Sequence, residues 1–268
     1  MGKPTWMCRT CGVEYRESAE APASCPICED PRQWVPPDGQ SWTTREWLAR
    51  GHRNAWRLEE PGLFSLVTEP KFAIGQQAFL VRTAEGNLLW DCIPLIDDAT
   101  IGIVRALGGL RAIAISHPHY YSAMAAWSRA FGDVPIHLHS NDREWIPATG
   151  SNTELWSGTA CSLFGGLTLV HCGGHFDGYQ VLHREDGGGA ILAGDQPQVA
   201  LDQRWVSFLW SYPNMVPLSA GAVSRVVEAL EPYRYERLYG AFGRHVLEDA
   251  KAVVRRSAER YRDFVQAP

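Results

Sequence analysis

The chain has 268 residues, with 25 basic against 30 acidic side chains and a formal charge of −5. That length leaves room for one to two domains with a sizeable core, and 45% hydrophobic with 21% charged residues excludes the disordered and collagen-like classes. A pI near 6.0 argues against a nucleic-acid partner, and an odd count of seven cysteines argues against a secreted disulfide framework.

The first residues carry no apolar signal run, and Trp6 stands where a myristoylation motif needs Ser or Thr. No apolar stretch approaches the roughly 20 residues of a bilayer crossing. The expectation is a cytoplasmic protein with no membrane partner. Four cysteines then fall in two Cys-x-x-Cys pairs, Cys8/Cys11 and Cys25/Cys28. Each pair forms a tight knuckle whose thiolates can point at one ion, and a segment this small needs that ion to fold. Cys11-Gly12, Tyr15 and Cys25-Pro26 look like a rubredoxin-type knuckle pair with a shortened loop, which leaves zinc or iron open at the four cysteines.

Pro36-Pro37-Asp38-Gly39 reads as a turn closing this ribbon, residues 1–36. A Trp-rich linker helix is expected within residues 37–60, from Thr43 to about Leu58, and the main domain over 61–268. Trp6, Trp34, Trp42, Trp47 and Trp56 would glue ribbon and linker to it. From Pro61 onward short strands are expected at 62–69, 76–83 and 87–92, then a helix at 99–107 and an apolar strand at 111–116. A helix at 121–131, a strand at 135–139 and a short helix at 141–146 follow. The second half repeats strands near 161–164, 167–172, 179–183 and 190–193, a helix at 219–230, a strand at 238–242 and a closing amphipathic helix over 245–264. Gly187-Gly188-Gly189 lacks the Lys and Ser/Thr of a phosphate loop and reads as a hairpin turn. Cys92, Cys161 and Cys172 lie in apolar strands and read as packed thiols, as His137 and His139 read as packed histidines.

Ligand-type residues follow several of these strands. Ser116-His117-Pro118-His119 puts two histidines two apart at a strand end, where both imidazoles can aim at one point. Gly174-His175 sits in a glycine-rich turn, Gly194-Asp195 ends the strand at 190–193, and Gly243-Arg244-His245 follows the strand at 238–242. This ordered set resembles the metallo-β-lactamase superfamily. The resemblance implies an α/β (α+β) fold, a four-layer αββα sandwich with its metals at one sheet edge, here preceded by the small four-cysteine ribbon. Residue by residue it implies His117, His119 and His175 as ligands of a first metal, Asp195 as the bridging carboxylate and His245 as the late histidine. Asp91 matches the strand-end Asp that buttresses the site.

Tyr121 and Ser122 stand where the family carries the Asp and His of its second metal position. Neither is a good zinc donor at neutral pH, so one tightly held metal is expected, zinc or iron, with Ser122 beside the site. Three histidines with an open position lower the pKa of bound water to about 7. The expected activity is a hydrolase directing a metal-bound hydroxide at an ester, thioester, lactone or activated aryl substrate. Asp195 would orient the water and Tyr121 donate to the oxyanion. Trp205, Trp210 and Tyr212 would line a pocket for a small, aromatic substrate. A redox protein coupling the ribbon to an iron centre, or a non-catalytic metal-binding fold, stands as the alternative, and homo- or hetero-oligomers stay open.

Overall fold

The computed structural model describes residues 3–149 and 151–267. The chain divides into two compact units, Met1–Leu138 with Glu144–Leu155 and His139–Arg143 with Trp156–Pro268.

In the first unit the ribbon is a three-stranded antiparallel sheet, ordered Glu14–Glu17, Thr5–Cys8, Trp42–Thr43. The last strand comes from beyond the Pro36–Gly39 turn, so the ribbon sheet takes in residues assigned to the linker. Trp42 meets Tyr15 edge-on at 5.4 Å, and the Arg9 guanidinium lies 4.7 Å from the Trp47 ring. Aromatic side chains thus cover the ribbon's strands, while Trp34 and Trp47 remain 46% exposed.

The expected linker helix is shorter than its sequence pattern suggests. Thr44 caps it by accepting from the Trp47 amide, and it runs only over Arg45–Gly51. Arg53–Glu60 is instead a strand, paired antiparallel with Leu63–Glu69 through the Pro61-Gly62 turn, where Gly62 adopts φ +81°. It forms one edge of a seven-stranded sheet, ordered Thr153–Trp156, Ile136–His139, Ala112–Ala114, Gly86–Trp90, Ala78–Thr83, Leu63–Glu69, Arg53–Glu60. Local spacing of Ala55, Trp56 and Leu58 suits either state. The hairpin partner decides it.

In the second unit a six-stranded sheet is ordered Ala160–Ser162, Leu167–His171, Gln180–Arg184, Ala190–Gly194, Arg237–Gly240, His245–Val246. Helices Ala220–Leu230 and Ala250–Gln266 pack on each other. The closing helix begins later than expected, because Gly243 at φ +71° turns His245–Val246 back as a strand and Asp249 at φ +53° interrupts the chain before Ala250. Gly189 closes the glycine turn, where a Cβ would fall 2.0 Å from the Arg234 carbonyl oxygen.

Glu14 is buried in the first unit, with Arg45 Nε 2.6 Å from its Oε1. Burial pushes its carboxyl from 4.5 up to about 7, against the opposing pull of Arg45 and Arg129. Protonation therefore stabilises the fold, a contribution full below about 4.5 and lost as pH rises through about 7. Glu14→Gln is expected to remove a pH-dependent loss of up to about 3 kcal/mol between roughly pH 5 and pH 8. Urea midpoints at those two values check it; equal shifts in wild type and variant would contradict it.

Candidate metal centres

The four ribbon cysteines converge. Cys8, Cys11, Cys25 and Cys28 are buried, with all four sulfurs within 4.8 Å of one another. Cys8 Sγ to Cys28 Sγ is 3.7 Å and Cys11 Sγ to Cys25 Sγ is 3.6 Å. A tetrahedron with metal–sulfur bonds of about 2.3 Å has edges of about 3.8 Å, so the donor set fits a tetrathiolate metal. Gly12 closes the first knuckle through its amide to the Cys8 carbonyl at 2.9 Å, and Gln40 clasps the Cys25 backbone at 2.6 and 3.3 Å. The Tyr15 hydroxyl donates to Cys25 Sγ at 3.0 Å, a partner that favours thiolate at that sulfur.

The first unit also holds a histidine pair. Ser116 follows the strand Ala112–Ala114 by two residues, and His119 sits on the helical turn Pro118–Tyr120 just beyond it. The His117 and His119 rings lie edge-on with centroids 5.0 Å apart, both buried, and Tyr120 packs on His117 at 4.4 Å. Asp91 Oδ1 accepts from the Ser116 amide at 2.7 Å and from its hydroxyl at 2.8 Å. Ser116 Oγ is also 2.8 Å from His117 Nδ1. A hydroxyl has one hydrogen. Given to the Asp91 carboxylate, it leaves the oxygen to accept from Nδ1–H, and the His117 Nε2 lone pair is then set for a ligand.

The second unit carries the other two family-type donors. His175 Nδ1 lies 3.0 Å from the Leu209 carbonyl oxygen. A carbonyl only accepts, so Nδ1 holds the proton and Nε2 is basic; that Nε2 is 3.7 Å from Asp195 Oδ2. Asp195 is buried, and its backbone is gripped by tyrosines. The Tyr179 hydroxyl donates to the Ala193 carbonyl and accepts the amides of Asp195 and Gln196, while Tyr212 donates to the Asp195 carbonyl at 2.6 Å. Gln196 Nε2 reaches the Gly173 carbonyl at 2.8 Å, tying this turn to the one that precedes His175.

Other expected site residues have different surroundings. His245 Nδ1 accepts from the Gly240 amide at 3.3 Å, which in the neutral ring leaves the proton on Nε2. Tyr121 is buried, and Ser122 faces the ribbon: its carbonyl accepts from the Glu14 amide at 3.0 Å. Tyr212 lies edge-on to His175 at 5.9 Å, whereas Trp205 sits under Arg260 at 3.6 Å. Trp210 is half-buried on the strand Leu209–Ser211. Burial pushes the Cys172 thiol up to about 12 and Cys92 well above its usual range, so both stay protonated; Cys161 is half-exposed. Ser116 and Tyr179 carry no motif of their own, although Ser116 directly precedes the histidine pair.

No model of a known protein family matches the chain. Among solved structures it resembles the metallo-β-lactamase DIM-1, with a TM-score of 0.60 at 12% identity over 80% of this chain and 98% of that one. It likewise resembles the mono-zinc form of the metallo-β-lactamase FIM-1 from Pseudomonas aeruginosa, with a TM-score of 0.56 at 15% identity over 77% and 95%. The chain therefore has the metallo-β-lactamase fold, preceded by a four-cysteine module of zinc-ribbon type. It belongs to the family of the uncharacterized protein YmaE of Bacillus subtilis (strain 168), to which it is 45% identical over 263 residues, 96% of each chain. Among the described residues no helix is long and apolar enough to cross a membrane.

Proposed function

We propose that the chain is a metal-dependent hydrolase of small ester, thioester, lactone or activated aryl substrates. In this reading His117, His119 and His175 are the zinc ligands that the family resemblance implies, leaving the fourth position to water, and the four ribbon cysteines hold a second, structural zinc. The observation that carries the reading is the fixed tautomer of His117 and His175. Ser116 and the Leu209 carbonyl tie up Nδ1 and leave Nε2 as the ligand atom, an arrangement that packed histidines do not need.

Zinc bound there supplies Lewis-acid polarisation and an acidified water. The protein supplies the rest. Asp195, held through its backbone by Tyr179 and Tyr212, orients the attacking water and takes up its proton. Tyr121 donates a hydrogen bond to the developing oxyanion. His245, with its proton on Nε2, acts as a further donor to substrate rather than as a ligand. The Tyr212 ring beside His175 favours an aromatic substrate, whereas Trp205 is engaged by Arg260.

Metal analysis of the full chain, joined to a panel of the four substrate classes before and after chelation, tests the reading. The expected result is a colourless protein with two zinc ions per chain and turnover of at least one class, lost on chelation and restored by zinc. A zinc-loaded chain that turns over none of them, or a red tetrathiolate-iron spectrum without hydrolysis, would overturn it.

A further inference from the structure

The segment carrying His117 and His119 is fastened at both ends within the first unit. Upstream, Asp91 holds Ser116. Downstream, Ser122 stands where the family resemblance places a second-metal histidine, but its polar groups turn to the ribbon. Its carbonyl accepts from the Glu14 amide at 3.0 Å, and its hydroxyl donates to the Gly12 carbonyl at 3.4 Å. Ser122 adopts φ +44°, a left-handed conformation that a serine keeps only where its surroundings impose it.

The ribbon side of this junction admits no slack. Gly12, at φ +81°, abuts the loops that carry Ala73 and Pro94 so closely that a Cβ would lie 2.8 Å from Pro94 Cγ and 3.3 Å from Ala73 Cβ. The same residue closes the Cys8–Cys11 knuckle through its amide. Cys11, Val13, Glu14 and Ser122 are all buried. One short stretch, residues 11–14, thus belongs at once to the four-thiolate centre and to the anchor of the histidine segment.

We propose that the four-cysteine ribbon is a positioning clamp for His117 and His119. Closed on a metal, the four thiolates hold the Gly12 knuckle; the knuckle holds Ser122; and Ser122 fixes the far end of the histidine segment. The ribbon then replaces the ordering that a second metal ion would give this loop. The inference rests on the proposed function only in taking zinc as the ion held by the histidines, and not on any hydrolytic step.

The test uses the full chain as wild type, Cys28→Ser, Cys28→His and Gly12→Ala. Cys28→Ser breaks the thiolate centre away from Ser122, Gly12→Ala unseats the knuckle while keeping all four thiolates, and Cys28→His can still close a zinc site of three thiolates and one imidazole. Amide hydrogen exchange over residues 117–124 and zinc affinity of the histidine site, by competition with a chelator, are read for each. Cys28→Ser and Gly12→Ala are expected to speed exchange there and weaken zinc binding by about tenfold or more, with exchange in Gln180–Arg184 unchanged, and Cys28→His is expected to restore both. Exchange and affinity within about twofold of wild type in Gly12→Ala, and in Cys28→Ser emptied of its ribbon metal, would overturn the clamp. Exchange faster in Gln180–Arg184 as well would also count against it, since the loss is then global. Should wild type bind no zinc at the histidines, the proposed function fails, and the exchange result alone still decides the clamp.

Discussion

Replacing His117 with alanine is expected to abolish zinc-dependent turnover, and replacing only Ser116 with alanine is expected to lower zinc affinity by about 10–100-fold. The two variants separate ligand from orienter. His117→Ala deletes a donor atom, so added zinc cannot restore the site. Ser116→Ala leaves the imidazole in place but removes the oxygen 2.8 Å from Nδ1, and with it the acceptor that keeps the proton on that nitrogen. The ring can then carry its proton on Nε2, the form that offers no lone pair at that nitrogen. Excess zinc selects the competent tautomer, so kcat in Ser116→Ala is expected to recover at saturating zinc while the zinc requirement rises. Chelator competition and turnover against free zinc check this. Wild-type affinity in Ser116→Ala would remove the tautomer argument from the proposed function.

Asp91 is the remote member of this relay. Its carboxylate takes the Ser116 hydrogen and so decides what the serine oxygen can do. Asp91 itself sits at φ +60° after Trp90, with its amide bonded to the Ala114 carbonyl at 2.8 Å. A short polar side chain tolerates that backbone, which brings the carboxylate across to the next parallel strand's end. The strand pair Gly86–Trp90 and Ala112–Ala114 thus sets the distance between the buttress and the histidine it serves.

How far this was legible depends on the range of each signal. The ribbon announces itself within 21 residues, because Cys8, Cys11, Cys25 and Cys28 carry their chemistry in their spacing. The histidine and aspartate motifs are equally local, each following an apolar strand, and their order along the chain carried the fold. Arg53–Glu60 has a helix-like sequence and is a strand because its state depends on pairing with Leu63–Glu69, which side-chain periodicity over so short a run does not encode. Ser122, expected beside the site, bonds to Gly12, 110 positions away, which no local pattern encodes. Trp205, expected in a pocket wall, has Arg256 and Arg260 of the closing helix against its ring, a contact that local sequence does not encode. A tyrosine at a strand start, such as Tyr179, looks like ordinary core in the sequence. Its importance lies in backbone groups, which have no sequence signature.

Tyr179→Phe is expected to destabilise the chain by about 3–6 kcal/mol, the largest single-residue stability loss argued from this structure. The hydroxyl is fully buried and serves three backbone groups: it donates to the Ala193 carbonyl at 2.6 Å and accepts the Asp195 and Gln196 amides at 2.5 and 2.7 Å. Phenylalanine keeps the ring and removes only the oxygen. Each of the three groups then loses that partner inside the protein, at about 1–2 kcal/mol apiece, a large part of a typical total stability of about 5–15 kcal/mol. The effect reaches the site along the chain. Once the Asp195–Gln196 turn loosens, Gln196 loses its hold on the Gly173 carbonyl, and the turn packed so tightly that a Cβ on Gly174 would lie 2.7 Å from Gln196 Nε2 no longer places His175. Turnover should therefore fall with stability even under conditions where the variant is folded. Tyr212→Phe removes a single bond to the Asp195 carbonyl, and is expected to cost only about 1–2 kcal/mol. Urea unfolding of the two variants beside wild type measures the difference. A Tyr179→Phe loss no larger than that of Tyr212→Phe would mean that the Asp195 turn is held by its packing and not by this hydroxyl.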